Sequence, residues 1–261
     1  MNEPTTAPVI ELHDADIATM PDPLCIMVRD VNWSVAGGEF WVVAGGERSG
    51  KSDFLRLVAG LMPPAKGSCK LFGLETRTFG EAELAERLRV GLVLQGGPLF
   101  NSLTIAENVA LPLRYQKNLS AAETQPVVDK LLALLELEPY AGALPVNVPM
   151  VWRYRTALAR ALILKPEVLL LDNPLAGLVT KYRLWLVHFL DQLWRGHEWL
   201  DGRPLTVVAT TDDLRPWQNS QRKFGLLSDE KFAVLGNWQE VETAEHLLVK
   251  EMLAPPVELT A

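Results

Sequence analysis

Residues 45–52, with the sequence Gly-Gly-Glu-Arg-Ser-Gly-Lys-Ser, constrain the fold more than any other segment. They follow the apolar run 40–44 and precede a helical pattern over 52–61 that has one apolar stripe. The segment matches G-x-x-x-x-G-K-[ST], in which glycines let backbone N–H groups surround a phosphate at the start of a helix. This order of strand, loop and helix predicts a phosphate-binding loop on an α/β sheet.

The rest of the chain repeats the same alternation of short apolar runs and longer helical patterns. The apolar runs are continuous, which is typical of strands covered on both faces of a parallel sheet. The predicted strands are 40–44, 90–94, 168–171 and 206–210. The predicted helices are 52–61, 121–137 with Ser120 as N-cap, 153–164 and 180–194. We therefore predict an α/β fold with right-handed crossovers.

Two further segments complete the predicted organisation. The stretch 97–162 is mostly helical and lies between two predicted core strands, so we interpret it as an inserted helical subdomain. The end of the chain, about 222–253, predicts a hairpin that turns at Ser228–Glu230 and a helix near 244–252. No linker divides the sequence, and we expect residues 1–261 to form a single domain.

Composition excludes several classes of function. The chain of 261 residues carries 25 Lys and Arg against 32 Asp and Glu, a net charge of -7, which argues against sequence-independent nucleic-acid binding. Cys25 and Cys69 are too few for a disulfide framework and fit a reducing compartment. The start of the chain has no secretory signal pattern, and the apolar runs are shorter than the ~20 residues that span a bilayer. We expect a cytosolic protein, and the four scattered histidines predict no metal site.

The phosphate loop assigns roles to individual side chains. Lys51 is expected to pair with β- and γ-phosphate oxygens, and the Ser52 hydroxyl to bind Mg²⁺. The predicted nucleotide-binding residues of this segment are Gly45, Gly46, Arg48, Ser49, Gly50, Lys51, Ser52 and Asp53. Arg48 has two open interpretations: its guanidinium contacts phosphate, or its bulk crowds the nucleotide.

A second acidic position supports this interpretation. The apolar strand 168–171 is followed directly by Asp172. A carboxylate at the carboxyl end of such a strand is the Walker B arrangement, which holds Mg²⁺ in phosphate-loop proteins. Together with the loop at 45–52, Asp172 predicts a site for a nucleotide and its Mg²⁺.

The order of elements over about 8–250 resembles the ATP-binding subunits of ABC transporters. Gln95, which closes a predicted strand, resembles the Q-loop glutamine, and Leu158–Leu162 resembles the helix between signature and Walker B. The resemblance implies a P-loop NTPase (RecA-like) core with a mostly parallel sheet, an N-terminal antiparallel β part and a helical subdomain. It also implies ATP as cofactor, with Mg²⁺ held by Ser52, Gln95 and Asp172. Dimers, with a second copy or a related subunit, and a membrane permease partner are implied as well.

One segment narrows the resemblance within the family. Residues 96–114, Gly-Gly-Pro-Leu-Phe-Asn-Ser-Leu-Thr-Ile-Ala-Glu-Asn-Val-Ala-Leu-Pro-Leu-Arg, are most similar to the Mla/Mce-type lipid-transport ATPases. This similarity implies transport of lipids or other hydrophobic compounds. It also implies a location on the cytoplasmic face of the inner membrane, through the permease.

The sequence departs from the family pattern at positions that act in hydrolysis or in sensing a partner subunit. Val148–Trp152 stands in place of the LSGGQ signature, and Leu175–Val179 stands in place of the acidic D-loop. Asn173 replaces the general-base Glu, and Thr211 replaces the switch His. Met20 replaces the aromatic residue that stacks on adenine. Pro149 has no N–H to offer a phosphate, and Asn173 cannot accept a proton from water at neutral pH. No intact catalytic residue is left, and we expect an ATP-binding chain that hydrolyses ATP weakly or not at all, with a scaffold or regulatory role.

Two other functions remain open. An active ATPase could use Asn173 to orient water, or Asp212 or Asp213 as a substitute base. A soluble regulatory protein of the same fold, as in DNA repair or translation, usually carries two nucleotide domains or a basic surface, and the sequence has neither.

Overall fold

The computed structural model describes residues 8–78 and 87–255. They fall into two compact units. The phosphate-loop unit comprises 8–78 with 208–255, and the helical unit comprises 87–207. Within the described ranges, every helix is too short or too polar to cross a bilayer.

The strands, in chain order, are β1 (Pro8–Ala18), β2 (Ile26–Ala36), β3 (Phe40–Gly45), β4 (Lys66–Leu71), β5 (Leu74–Glu75), β6 (Val90–Val93), β7 (Val168–Leu171), β8 (Thr206–Thr211), β9 (Lys223–Ser228) and β10 (Lys231–Gly236). The helices are α1 (Lys51–Val58), α2 (Ile105–Gln116), α3 (Ala121–Leu134), α4 (Met150–Leu162), α5 (Thr180–Gly196), α6 (Trp238–Glu242) and α7 (Leu247–Leu253). The predicted strands are confirmed to within one residue at each end, and strands β1, β2, β4 and β5 form the N-terminal antiparallel part.

The sheet of the phosphate-loop unit has the strand order β5-β4-β1-β2-β10-β9-β3-β8. Strand β1 pairs antiparallel with β2 and β4, whereas β3 pairs parallel with β9. Gly45, the last residue of β3, lies opposite Leu227 of β9. The predicted hairpin is confirmed, and its turn at 229–230 follows β9 at the same end of the sheet as the phosphate loop.

Helix α1 is held by its apolar face. Its buried residues Phe54, Leu55, Leu57 and Val58 form that face. The ring of Phe54 lies 5.2 Å from Trp33 and 5.6 Å from Phe232 of β10 between centroids, in an aromatic cluster. The helix ends at Val58, short of the predicted Leu61, because Gly60 turns the chain with a φ of 68° and Leu61 is exposed.

In the helical unit, β6 and β7 are parallel partners, with Val93 opposite Leu171. Helices α2 and α3 begin with capping boxes, Thr104 with Glu107 and Ser120 with Glu123, which confirms Ser120 as N-cap. The predicted helix 121–137 ends earlier, at Leu134, and the predicted helix 153–164 begins earlier, at Met150.

At the end of the chain, the helix predicted near 244–252 is present over Leu247–Leu253, and a second short helix that was not predicted precedes it. The structure has two short helices, α6 and α7, separated by residues 243–246. Asn237 caps α6 through a capping box with Glu240, and this local signal for a first helix was missed.

Candidate functional site

The phosphate loop joins β3 to α1 in a tight turn. Gly50 is the N-cap of α1 with a φ of 85°, and no side chain caps the helix. A Cβ on Gly45 would lie 2.4 Å from Ser49 Oγ and 3.1 Å from the carbonyl oxygen of Leu227, so a larger residue would displace the Ser49 side chain and press against β9. The loop therefore presents an uncapped helix N-terminus, which favours an anionic group.

Two polar side chains in the loop fit a phosphate ligand. The Nζ atom of Lys51 donates to the carbonyl oxygens of Gly45, at 2.6 Å, and Gly46. Ser49 Oγ is buried and has no hydrogen-bond partner in the described structure. An unpaired buried hydroxyl costs about 1–3 kcal/mol, so a ligand that pairs with it is favoured. Ser52, the second residue of α1, is half-buried.

Arg48 adopts an uncommon backbone conformation. Its φ is 57°, in the left-handed region that glycine occupies without steric cost. The segment therefore bends as a glycine-rich phosphate loop does, although an arginine occupies this position. The strain arises because Arg48 has a Cβ, which is sterically unfavourable at a φ of 57°.

A pocket of about 380 Å³ borders the loop, and we name it the loop pocket. Its walls include loop residues 46–49, Met27, the hairpin-turn residues 228–230 and Leu248. Its volume lies within the range of small-molecule sites, and its lining is partly apolar and partly polar. No motif marks Asp229 and Glu230 as neighbours of the phosphate loop, because their position beside it depends on the parallel pairing of β9 with β3.

Asp53 of α1 binds protein groups. Its carboxylate accepts a hydrogen bond from the backbone N–H of Met20 at 3.3 Å and from the guanidinium of Arg56 at 2.8 Å. Met20 is itself 56% exposed. Asp53 therefore ties α1 to the segment in which the family pattern places the adenine-stacking residue.

In the helical unit, Gln95 and Asp172 follow neighbouring parallel strands. Gln95 is exposed beyond the end of β6, and Asp172 is buried directly after β7, with its N–H on the carbonyl oxygen of Val93 at 2.8 Å. Asn173, also buried, has a φ of 42°. The structure thus places Gln95, Asp172 and Asn173 at one edge of this strand pair.

Tyr154 of α4 is a buried tyrosine that the sequence analysis did not single out. It is 5% exposed, and its Oη atom has no hydrogen-bond partner in the described structure. Burial, and secondly the negative charge of Asp172, raise the pKa of the Tyr154 hydroxyl well above its ordinary value, so it stays protonated. No motif contains Tyr154, and only the fold shows its surroundings.

The segment at the signature position is a regular helical turn. Pro149 is the N-cap of α4, and Met150–Trp152 form its first turn. The guanidinium of Arg155 lies 4.5 Å from the ring of Trp152 and 3.6 Å from that of Trp185, and it donates to the carboxylate of Glu136. This turn therefore packs on aromatic side chains. It contains no glycine that would let backbone N–H groups come close to a phosphate.

At the switch position, the hydroxyl of Thr211 is already engaged in hydrogen bonds within the protein. The hydroxyl of Thr211 donates to the carbonyl oxygen of Asp213 and accepts from Trp217 Nε1 at 3.1 Å. The carboxylate of Asp213 is paired with the guanidinium of Arg215 at 2.8 Å. An ion-paired carboxylate is a weak base, which disfavours Asp213 as a substitute for the missing glutamate.

Comparison with known proteins decides the family. The sequence profile of the ABC transporter family matches residues 28–176, more than half of the chain. The chain belongs to the ABC transporter family. Proteins of this family bind ATP with Mg²⁺, and the loop residues described above fit these ligands.

Two relatives illustrate the similarity of this ABC transporter protein. The probable sulfate/thiosulfate import ATP-binding protein CysA of Chlorella vulgaris is 35% identical over 211 residues, which cover 81% of this chain and 85% of that protein. The sulfate/thiosulfate import ATP-binding protein CysA of a Synechocystis species is 33% identical over 214 residues, 82% of this chain. The chain spans 57% of the length of this second relative.

A solved structure confirms the fold of this ABC transporter protein. The ATP-binding cassette MJ0796, in a dimeric post-hydrolysis state bound to ADP and Pi, matches with a TM-score of 0.74 and 27% identity. The match covers 88% of this chain and 100% of that one. The α/β fold with a P-loop NTPase core and a helical insert is therefore that of ABC ATPase cassettes.

Proposed function

We propose that this protein is the ATP-binding subunit of an ABC transporter, that it binds ATP with Mg²⁺, and that it hydrolyses ATP slowly or not at all. The observation that carries the proposal is the helical turn Met150–Trp152 at the signature position. This turn is covered on one side by Arg155 and the rings around it.

The binding half of the proposal rests on the phosphate loop. The ammonium of Lys51 and the uncapped N-terminus of α1 provide positive charge for the β- and γ-phosphates. Ser52 and Asp172, with Gln95, would hold Mg²⁺, which supplies charge neutralisation of the phosphates when bound. The loop pocket beside residues 46–49 is the place that we assign to the adenosine part.

The hydrolysis half rests on Asn173. A general base takes a proton from the attacking water and typically contributes 10²–10⁴-fold to the rate. The Asn173 amide orients water but cannot take this proton. In the family arrangement the signature of one subunit contacts the γ-phosphate bound to the other, and the turn that begins after Pro149 has no glycine to make that contact.

We propose a scaffold or regulatory role on a membrane permease, on the cytoplasmic face of the inner membrane, as a homodimer or with a related subunit. The segment 96–114 supports lipids or other hydrophobic compounds as the transported class. Relatives named for sulfate/thiosulfate import and for spermidine/putrescine import match 81% and 82% of this chain, so the proposal of lipids rests on segment 96–114 alone.

Two assays separate this proposal from its alternatives. An active ATPase that uses other residues predicts turnover at ordinary transporter rates, with or without the permease, and its loss in Lys51→Ala. A soluble regulatory protein predicts that the chain does not sediment with membranes when it is expressed with its permease. Binding of Mg-ATP with negligible turnover and recovery in the membrane fraction support the scaffold role.

A further inference from the structure

Tyr154 is buried, and its hydroxyl forms no hydrogen bond with the described residues around it. The side chain is 5% exposed, and Oη has no hydrogen-bond partner among the described residues. Burial of an unpaired hydroxyl costs about 1–3 kcal/mol, whereas phenylalanine would fill the same space without that cost. A tyrosine here indicates that the hydroxyl pairs with a group that the described structure does not place within hydrogen-bond distance of it.

The surroundings of Tyr154 locate that partner. A Cβ on Gly97, two residues past Gln95, would lie 2.9 Å from the Cα of Tyr154, so α4 packs closely against the segment after β6. Asp172 follows β7, the parallel neighbour of β6, and its N–H binds the carbonyl oxygen of Val93. Tyr154 therefore lies where α4 packs against the segment that follows Gln95, and β7, which Asp172 follows, is the neighbouring strand.

We infer that the Tyr154 hydroxyl is a positioning donor for the Asp172 carboxylate when Mg-nucleotide is bound. The inference rests on the proposed function, because it needs Asp172 to take the metal. A tyrosine hydroxyl can donate a hydrogen bond to a carboxylate, whereas a phenylalanine ring in its place cannot. Groups that orient a metal-binding carboxylate typically change metal affinity by 10–100-fold.

The test compares Tyr154→Phe with Tyr140→Phe in the full chain. Tyr140 is the matched control, since its ring packs on Trp152 at 5.3 Å between centroids and is half-buried. Calorimetric titration with ATP is run once with Mg²⁺ and once with EDTA. The ratio of the two affinities measures the contribution of the metal, which a merely structural role of Tyr154 does not change.

We expect Tyr154→Phe to lower this ratio about 10-fold while the affinity for ATP in EDTA and the ratio of Tyr140→Phe stay at the wild-type values. The melting temperature of nucleotide-free Tyr154→Phe is expected to equal or exceed that of wild type, because an unpaired hydroxyl is removed. An unchanged ratio in Tyr154→Phe, or an equal loss in both titrations with a lower melting temperature, overturns the inference. A wild-type chain whose ATP affinity is independent of Mg²⁺ overturns the proposed function itself.

Discussion

The Nζ atom of Lys51 lies 2.6 Å from the carbonyl oxygen of Gly45. The lysine thus spans its own loop, from the first turn of α1 back to the end of β3, and holds its charge beside the uncapped helix N-terminus. Phosphate oxygens compete well with carbonyl oxygens for an ammonium group, because phosphate carries a negative charge and a carbonyl oxygen does not. The loop is therefore prepared for an anion, with its cation already in place.

Lys51→Ala is predicted to weaken Mg-ATP binding about 10- to 100-fold, since a hydrogen bond to a charged group contributes about 1.5–3 kcal/mol. Calorimetric titration measures the effect. Lys117→Ala, at an exposed position after α2, is the control and should bind as wild type does. An affinity of Lys51→Ala within twofold of wild type would remove the phosphate loop from the nucleotide site.

Arg48→Gly is predicted to have a free energy of unfolding about 1 kcal/mol higher than that of Arg48→Ala, because a φ of 57° strains any residue with a Cβ. Urea unfolding of the two variants measures this difference. The comparison of two uncharged variants separates strain from loss of the guanidinium. At exposed Lys130, inside α3, the same pair should rank in the opposite order, with alanine more stable. Equal stability of the two Arg48 variants would mean that the loop carries no strain.

The Arg89–Glu167 ion pair predicts a dependence of stability on pH. Two bonds of 2.9 Å from Arg89 lower the pKa of Glu167 below its ordinary value of 4.5. The pair therefore stabilises the fold above that value, and its contribution is lost as the pH falls through the lowered pKa. Glu167→Gln should lower the free energy of unfolding by about 0.5–1 kcal/mol at pH 7 and by less in acid.

Urea unfolding at several pH values checks this prediction, with Glu245→Gln at an exposed position as control. A difference between Glu167→Gln and wild type that is constant across pH would show that the charge of Glu167 is not what stabilises the fold.

Arg155→Lys is predicted to destabilise the protein by about 1–3 kcal/mol. The guanidinium is 3% exposed, stacks 3.6 Å from the ring of Trp185 and donates to Leu135 and Glu136. Lysine keeps the charge but loses the planar stacking and part of the hydrogen bonding. Thermal unfolding measures the loss, and Arg114→Lys, at an exposed position of α2, should be neutral. A neutral Arg155→Lys would contradict the role of this packing.

The parallel strands and the phosphate loop were predictable from the sequence because their signals are local. Continuous apolar runs marked β3, β6, β7 and β8, and Ser120 with Glu123 marked the start of α3. The sequence placed Gln95 and Asp172 each at the end of a predicted strand, and the structure shows that these two strands are parallel neighbours.

Other features depend on long-range packing and left no local pattern. The acidic turn at Asp229 and Glu230 reaches the loop pocket only through the pairing of β9 with β3. Tyr154 lies close to the segment after β6 only because Gly97 lets α4 approach. Pro149 was recognised as a lost phosphate donor. Only the structure shows that Pro149 is the N-cap of α4 and that Met150–Trp152 are helical.

The most direct test of the account is a titration of the purified chain with Mg-ATP, followed by measurement of phosphate release in the same sample. The account predicts saturable binding that Lys51→Ala weakens, with turnover far below the median enzyme rate of about 10 s⁻¹. Turnover near that rate, abolished by Lys51→Ala, would contradict the assignment of Asn173 and the signature turn as replaced catalytic parts.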